Sequence, residues 1–350
     1  MEIDIEGQQI RERLFSKKLR VVQGTASEEQ EKEFCPLLLR SLFPGEALTF
    51  AIYLKTLNEG NKEIHYLPCG MPGEVFQPAW LSQLEQIGID RLYFKKVDLP
   101  RVIAYLNNYL LILEGQGGIA NQQKMRVFYD QLNLTIRQAM TSTRMGPYIR
   151  STIKQVNWLL AELATGKLPL NFLWEIILHD YSLYNHSVNV FMIALALMVY
   201  LEKKEVECQH MGIAALFHDV GMTRIPPEIL DKPETLNAED RLIVQEHPQI
   251  GFDMLKGFSA IPLEALRLIL EHHENCDGSG YLRGLSLSQQ HRHTRILRLV
   301  DTYEALTSLR PYRPAYRAFD AIKILREQSG PRGLIYDQRL LEIFIKFLAL

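Results

Sequence analysis

Residues 272–282 read HHENCDGSGYL, so two adjacent imidazoles and a carboxylate stand directly before a glycine-rich turn that ends in an aromatic residue. Nine of the ten histidines lie at or after His179, and such clustering indicates a metal centre. A second polar pair, His218–Asp219, ends the apolar run of residues 214–217. This pattern predicts that two further metal ligands stand at the end of a buried helix.

Seven side chains form the candidate ligand set, and each lies near a predicted helix end or interrupts an apolar helix: His186, His218, Asp219, His247, His272, His273 and Asp301. A single buried histidine or aspartate is usually a core group with an ordinary hydrogen-bond partner. Seven such groups in one domain are better explained by shared metal ions, because buried imidazoles and carboxylates need partners. Seven nitrogen and oxygen donors exceed one tetrahedral zinc site. They suit two Fe or Mn ions with one carboxylate bridging.

The composition of the chain restricts its partners and its location. With 350 residues, 47% of them hydrophobic, the chain is long enough for about two domains with buried cores. A net charge of −2 provides no global basic field, so DNA binding is not expected. The four cysteines form no CxxC pair and no signal peptide is visible, which favours a cytoplasmic protein. The apolar residues 188–201 are too few to span a membrane, so we expect a buried helix.

The expected fold class is α+β overall, with a small α/β domain followed by an all-α bundle. Hydrophobic patterning in the first third predicts strands at 47–54, 63–67 and 91–95, and helices at 78–87 and 99–110. Residues 114–123 contain three glycines and indicate a linker, after which the pattern is helical. The predicted divisions are an N-terminal regulatory or partner domain at 1–113, a linker with connecting helices at 114–174, and a helical domain at 175–350.

The order of the motifs resembles that of the HD-GYP family, which belongs to the HD superfamily of phosphohydrolases. The resemblance covers about residues 175–345 and rests on His218–Asp219, on His272–His273–Glu274 and on DGSGY at 277–281. It implies an HD-type helical bundle. It also implies a metal-dependent phosphodiesterase that hydrolyses cyclic di-GMP to pGpG or GMP through a hydroxide activated by a dinuclear centre.

The resemblance further implies a role for each matching residue. One ion would be held by His186, His218, Asp219 and Asp301. Asp219 would bridge to a second ion, held by His247, His272 and His273. The catalytic set would combine the metal ligands Asp219 and His218 with Arg310 and Arg313, whose guanidinium groups suit substrate phosphates. Tyr281 would face the nucleotide.

Three positions depart from the family pattern. Met222 stands where the family has the lysine of His-Asp-x-Gly-Lys, which removes a positive charge from the phosphate side of the site. Leu282 replaces the proline of Gly-Tyr-Pro, so the turn loses a fixed φ angle. Ser182 stands where members with three metals have a glutamate, which favours two ions.

Three functions remain open from the sequence. The first is a phosphodiesterase acting on cyclic di-GMP or a related cyclic dinucleotide. The second is a degenerate member that binds metal or nucleotide and signals without turnover, which Met222 and Leu282 favour. The third is a di-iron oxygenase, which Arg310 and Arg313 disfavour because an uncharged substrate would not need them. The N-terminal domain is expected to contact a partner protein or to mediate a homodimer.

Overall fold

The computed structural model describes residues 19–21, 33–58, 64–114, 119–166, 168, 177, 182–230, 232, 235–310, 313–329 and 334–350. The chain divides into two compact units, Met1–Leu134 and Thr135–Leu350. The division falls within the helix Ile119–Thr141. Each unit has its own buried apolar core.

The first unit is built on a five-stranded sheet. Its strands are β1 (Leu19–Val21), β2 (Phe34–Leu38), β3 (Ile52–Asn58), β4 (Ile64–Gly70) and β5 (Arg91–Lys95). The strand β3 pairs with β1, β4 and β5, and β5 also pairs with β2, always in antiparallel orientation. Its helices are α1 (Pro78–Gln86), which lies between β4 and β5, then α2 (Leu99–Leu113) and the boundary helix α3 (Ile119–Thr141).

The predicted order of strands and helices is confirmed from β3 to α2, with shifts at some bounds, but the strands β1 and β2 were not predicted. The strand Arg91–Lys95 has its predicted bounds, and both predicted helices begin where expected. The strand predicted at 47–54 begins instead at Ile52. Leu48 and Phe50 are buried in the core but precede the strand. Residues 47–51 therefore resemble a strand in sequence, because apolar side chains that are buried alternate there, although these residues lie in a loop.

The second unit is a bundle of helices, as predicted. They are α4 (Gly146–Ala164), α5 (Leu183–Tyr200), α6 (Glu205–Phe217), α7 (Pro227–Leu230), α8 (Ala238–Val244), α9 (His247–Leu255), α10 (Leu263–Glu271), α11 (Arg292–Thr307), α12 (Ala318–Gln328) and α13 (Gln338–Leu348). The helix α5 packs against α4, α6, α11 and α13, which puts it at the centre of the bundle.

The helix α5 is the core helix of this unit. Every residue of α5 from His186 to Met198 is buried. Within the described ranges, α5 is the one helix whose length and hydropathy match a membrane span, and 78% of it is buried inside the protein. The prediction of a buried helix at residues 188–201 is confirmed, although the helix ends at Tyr200.

Candidate metal centre

The seven predicted ligands come from five helices of the second unit. His186 lies in the first turn of α5, whose start is fixed by the Ser182 side chain, which accepts a hydrogen bond from the backbone N–H of Asn185 at 3.0 Å. The other six follow the ends of α6 and α10, begin α9, or lie within α11: His218, Asp219, His272, His273, His247 and Asp301.

The structure brings these seven side chains together in two groups. Within each group, one nitrogen or oxygen atom from every residue lies within 4.8 Å of the others, a spacing that can hold a metal ion. The first group consists of His186, His218 and Asp301, and all three are buried. The second group consists of Asp219, His247, His272 and His273.

The carboxylate of Asp219 faces both groups. Its Oδ1 atom lies 3.1 Å from Nε2 of His247 and 3.6 Å from Nε2 of His272. Its Oδ2 atom lies 3.4 Å from Nε2 of His218 and 3.5 Å from Nε2 of His186. One oxygen is therefore directed at each group, which is the arrangement of a carboxylate that bridges two ions.

Three imidazoles are oriented by backbone carbonyls that lie three residues earlier in the chain. The Nδ1 atoms of His218, His247 and His272 lie 2.7–2.8 Å from the carbonyl oxygens three residues earlier. A carbonyl oxygen can only accept, so each Nδ1 must carry a proton and donate it. In its neutral form each ring then presents the lone pair of Nε2 to the cluster, which is the form that binds a metal.

The distance between two of these rings tests whether a cation fits. Nε2 of His247 lies 3.2 Å from Nε2 of His272, and both rings are buried. Since both Nδ1 atoms donate to carbonyls, two neutral rings would oppose lone pairs across this contact. A cation bound by both nitrogens satisfies them, and five imidazoles with two carboxylates match the donors that Fe and Mn accept.

Burial and neighbouring charges set the protonation of the cluster. Burial lowers the pKa of His272 to about 4, and burial together with His272 holds the pKa of His273 well below its usual value. Burial raises the pKa of Asp219, but His218 and the other hydrogen-bonded imidazoles outweigh it and hold that pKa well below its usual value. Neutral imidazoles and ionised carboxylates are the forms that metals bind.

Glu304 is a buried carboxylate that supports the first group and was not predicted from the sequence. It accepts hydrogen bonds from Nδ2 of Asn189 at 2.8 Å and from Oγ of Ser308 at 2.6 Å, and it contacts Nδ1 of His186. Burial lowers the pKa of His186, but the charge of Glu304 and the hydrogen bond with Asp301 raise it to about 10. Glu304 thus fixes the ring of His186 with Nε2 towards Asp301, 3.1 Å away.

A glycine allows the turn after Asp219 to approach the start of α9. A Cβ atom at Gly221 would lie 2.0 Å from the carbonyl oxygen of His247 and 2.8 Å from the backbone nitrogen of Gly251. No side chain fits at such distances. Gly221 therefore sets the separation between the backbone segments that carry Asp219 and His247.

Tyr281 borders the second group. Its ring stacks on that of His273, with centroids 4.7 Å apart and planes inclined by 29°. The turn before it is close-packed, since a Cβ atom at Gly280 would lie 2.3 Å from the backbone nitrogen of Asn275. The buried Glu274 carboxylate accepts backbone hydrogen bonds at 2.7 Å from residues 283 and 285, which fixes the continuation of the loop.

The two predicted phosphate-binding arginines have different surroundings. Nη2 of Arg310 lies 4.0 Å from Oε2 of Glu304, beside the first group. The guanidinium of Arg313 donates to the carbonyl oxygens of Ala305, Leu306 and Pro314. Arg313 thus satisfies carbonyls in the last turn of α11.

Comparison with known proteins gives the family of this region. Residues 173–340 match the model of the HD domain family. This region has the sequence pattern of an HD domain. The chain is 34% identical over 163 residues to the cyclic di-GMP phosphodiesterase PA4108 of Pseudomonas aeruginosa, covering 47% of this chain and 38% of that protein. It is 34% identical over 137 residues to 3'3'-cGAMP-specific phosphodiesterase 1 of Vibrio cholerae, covering 38% of this chain and 30% of that protein.

The fold comparison extends beyond the HD domain. The structure of Bd1817, a HDG"Y"P protein from Bdellovibrio bacteriovorus, matches with a TM-score of 0.68 at 14% sequence identity and covers 91% of this chain and 100% of that one. A likeness at this identity shows a shared fold. The aligned segments span less than half the length of either relative. Together, the family match, the two relatives and the shared fold confirm the resemblance to HD-GYP proteins.

The three departures from the HD-GYP pattern have distinct positions in the HD domain. Met222 lies in the 3-10 segment Val220–Arg224, which begins directly after Asp219, and Met222 is partly exposed. Leu282 follows Tyr281 and is 38% exposed, so it is not part of the core. Ser182 forms the N-cap of α5, which gives this residue a structural role.

Proposed function

We propose that this chain is a metal-dependent phosphodiesterase that hydrolyses cyclic di-GMP or a related cyclic dinucleotide to pGpG or the mononucleotide. The observation that carries the proposal is the Asp219 carboxylate, whose two oxygens face two separate groups of buried imidazoles. The names of the relatives support the substrate class, since one is called a cyclic di-GMP phosphodiesterase and another is called 3'3'-cGAMP-specific.

The proposed cofactor is a pair of Fe or Mn ions. His186, His218 and Asp301 would hold one ion, His247, His272 and His273 the other, and Asp219 both. When bound, two such ions would lower the pKa of a bound water towards neutral pH and would stabilise the negative charge that develops on phosphate oxygens. Five neutral nitrogens and two carboxylates leave the pair with a net positive charge, which favours a phosphodiester ligand.

The remaining residues of the site bind and orient the substrate. Arg310 stands beside the first group, where its guanidinium can form charge-assisted hydrogen bonds with a phosphate. Tyr281 presents an aromatic ring beside the second group, where a nucleobase can stack. His218 and Asp219 act as metal ligands in this proposal, not as general acid or base. All residues proposed to bind metal or substrate lie in the second unit. For the first unit, the proposal remains a regulatory or partner domain.

Several finer predictions stay with this proposal. They are the division into residues 1–113, 114–174 and 175–350, a cytoplasmic location, and contact of the N-terminal domain with a partner protein or a second copy. The oxygenase alternative has no support from the two relatives, both of which are named as phosphodiesterases.

The test is turnover of cyclic di-GMP and of 3'3'-cGAMP by anaerobically purified protein, followed by chromatography. We expect product formation that a chelator abolishes and Mn²⁺ or Fe²⁺ restores. Asp219→Ala should be inactive. Asp253→Ala is the matched control, because Asp253 is exposed and pairs with Lys256. Metal-loaded protein that binds a cyclic dinucleotide without hydrolysing it would replace this proposal with the binding module.

A further inference from the structure

Arg298 stands next to the first group although it was absent from the predicted site. It precedes Asp301 by three residues on α11, so both side chains project from one face of the helix. Its Nη1 atom lies 3.7 Å from Oδ2 of Asp301, while Oδ1 of Asp301 faces Nε2 of His186 at 3.1 Å. The two oxygens of Asp301 therefore divide between the metal group and the guanidinium.

Neutral groups hold the guanidinium of Arg298 in place. Its Nε donates to Oδ1 of Asn275 at 3.2 Å, and its Nη1 donates to Oγ1 of Thr302 at 2.9 Å. The ring of Tyr336 lies 5.7 Å from its central carbon. These contacts fix its position but do not neutralise its charge. The 3.7 Å separation from Asp301 is too long for a hydrogen bond.

Three donor hydrogens of Arg298 remain for a ligand, two on Nη2 and one on Nη1. Among the residues that the structure describes, Nη2 has no acceptor within hydrogen-bond distance. The side chain is 19% exposed, so it is not sealed in the core. A fixed guanidinium with free donors is suited to bind a phosphate, because less conformational entropy is lost on binding.

Arg298 also lies on the side of the cluster that carries the aromatic ring. Its partner Asn275 lies in the turn that leads to Tyr281, and Nδ2 of Asn275 donates to Oγ of Ser279 at 3.0 Å. The ring of Tyr281 stacks on that of His273. A phosphate held by Arg298 would therefore lie near a base stacked on Tyr281.

Two other positions that the sequence linked to phosphate contact, Arg313 and Met222, do not direct a positive charge at the cluster. Arg298 forms an ion pair with Asp301, a carboxylate of the ligand set, at 3.7 Å. Arg313, expected from the sequence to face phosphate, directs its guanidinium to backbone carbonyls. Met222 contributes no charge on the segment after Asp219.

We propose that Arg298 is a substrate-binding residue that contacts a phosphate of the cyclic dinucleotide, together with Arg310. The proposal rests on the proposed function for the identity of the substrate, but not for the affinity of this position for phosphate. Loss of one charge-assisted hydrogen bond should raise KM about tenfold or more, with a smaller effect on kcat.

The experiment compares wild type, Arg298→Gln, Arg298→Lys and the control Arg292→Gln. Arg292 lies on the same helix but is exposed at its first turn, so its substitution removes the same charge away from the site. Metal content, KM and kcat for cyclic di-GMP, and calorimetric binding of inorganic phosphate to the Mn²⁺-loaded proteins are measured. We expect full metal content in all four. KM should be raised and phosphate binding weakened in Arg298→Gln, partly restored in Arg298→Lys and unchanged in Arg292→Gln.

Two results would overturn the inference. One is loss of metal from Arg298→Gln, which would show that Arg298 only supports Asp301. The other is an unchanged affinity for phosphate together with an unchanged KM. If wild type does not hydrolyse cyclic di-GMP, the proposed substrate fails, but the calorimetric comparison still decides the role of Arg298. Weaker phosphate binding in Arg298→Gln than in Arg292→Gln supports the inference in that case as well.

Discussion

Replacing Glu304 by glutamine should weaken metal binding at one group and spare the other. The two carboxylate oxygens of Glu304 accept from three donors, with Asn189 and Ser308 on Oε1 and His186 on Oε2. A glutamine offers one oxygen and one NH₂ group. If its oxygen serves Asn189 and Ser308, its NH₂ group faces His186 and favours a proton on Nε2, the atom that would bind metal. If it serves His186, the NH₂ group faces the other two donors.

The expected magnitude follows from either orientation. Loss of a partner that orients a metal-binding imidazole typically costs about 10- to 100-fold in metal affinity. The buried donor left without an acceptor should also lower the free energy of unfolding by roughly 1–3 kcal/mol. Because Glu304 contacts His186 only among the seven ligands, the second group should keep its affinity.

The assay is titration of metal-free protein with Mn²⁺, with the two binding events resolved by calorimetry and checked by electron paramagnetic resonance of free Mn²⁺. Glu271→Gln is the matched control, since Glu271 is equally buried but bonds to Arg267, Arg283 and Thr294. Wild-type affinity for both ions in Glu304→Gln would show that Glu304 does not support metal binding at the first group. An equal loss in Glu271→Gln would contradict a specific role of Glu304.

Three further perturbations have defined outcomes. Gly221→Ala should abolish metal binding in a folded protein or prevent folding, because its Cβ would lie 2.0 Å from the carbonyl oxygen of His247; an active, metal-replete variant would contradict this. Met222→Lys should raise kcat/KM for cyclic di-GMP if a cation on that segment meets the substrate, and an unchanged value would exclude it. Burial raises the pKa of Asp130 to about 6, so the folded state disfavours its charge. The free energy of unfolding should then fall by about 3 kcal/mol as pH rises from about 4 to about 6. Urea titrations should show this slope in wild type and a flatter one in Asp130→Asn.

Local sequence carried most of the information about the metal ligands. His218–Asp219 and His272–His273 each follow a helix directly, and a polar pair at the end of an apolar run is visible without tertiary structure. Helix α5 was also predictable, because the apolar run at residues 188–201 indicates a core helix, and 78% of the helix is buried inside the protein. These features depend on neighbours in the chain.

Features that depend on packing were not predictable. Glu304 looks like an ordinary acidic helix residue, and its role appears only where α5 packs on α11 and brings His186 to it. Arg298 could have been found by its spacing of three residues from Asp301, yet its neutral anchors, such as Asn275, come from a distant loop. Arg313 has the sequence context of a phosphate ligand, but its donors reach the free carbonyls at the end of α11.

The number of metal ions per chain, with and without Asp219, is the decisive measurement of whether this carboxylate is shared by two ions. Wild type and Asp219→Ala are purified anaerobically, shown to be folded by circular dichroism, and analysed for metal by mass spectrometry. A carboxylate shared by both groups predicts two Fe or Mn ions per chain in wild type and loss of both in the variant. A variant that keeps one tightly bound ion, or a wild type that binds only one, would contradict the shared carboxylate.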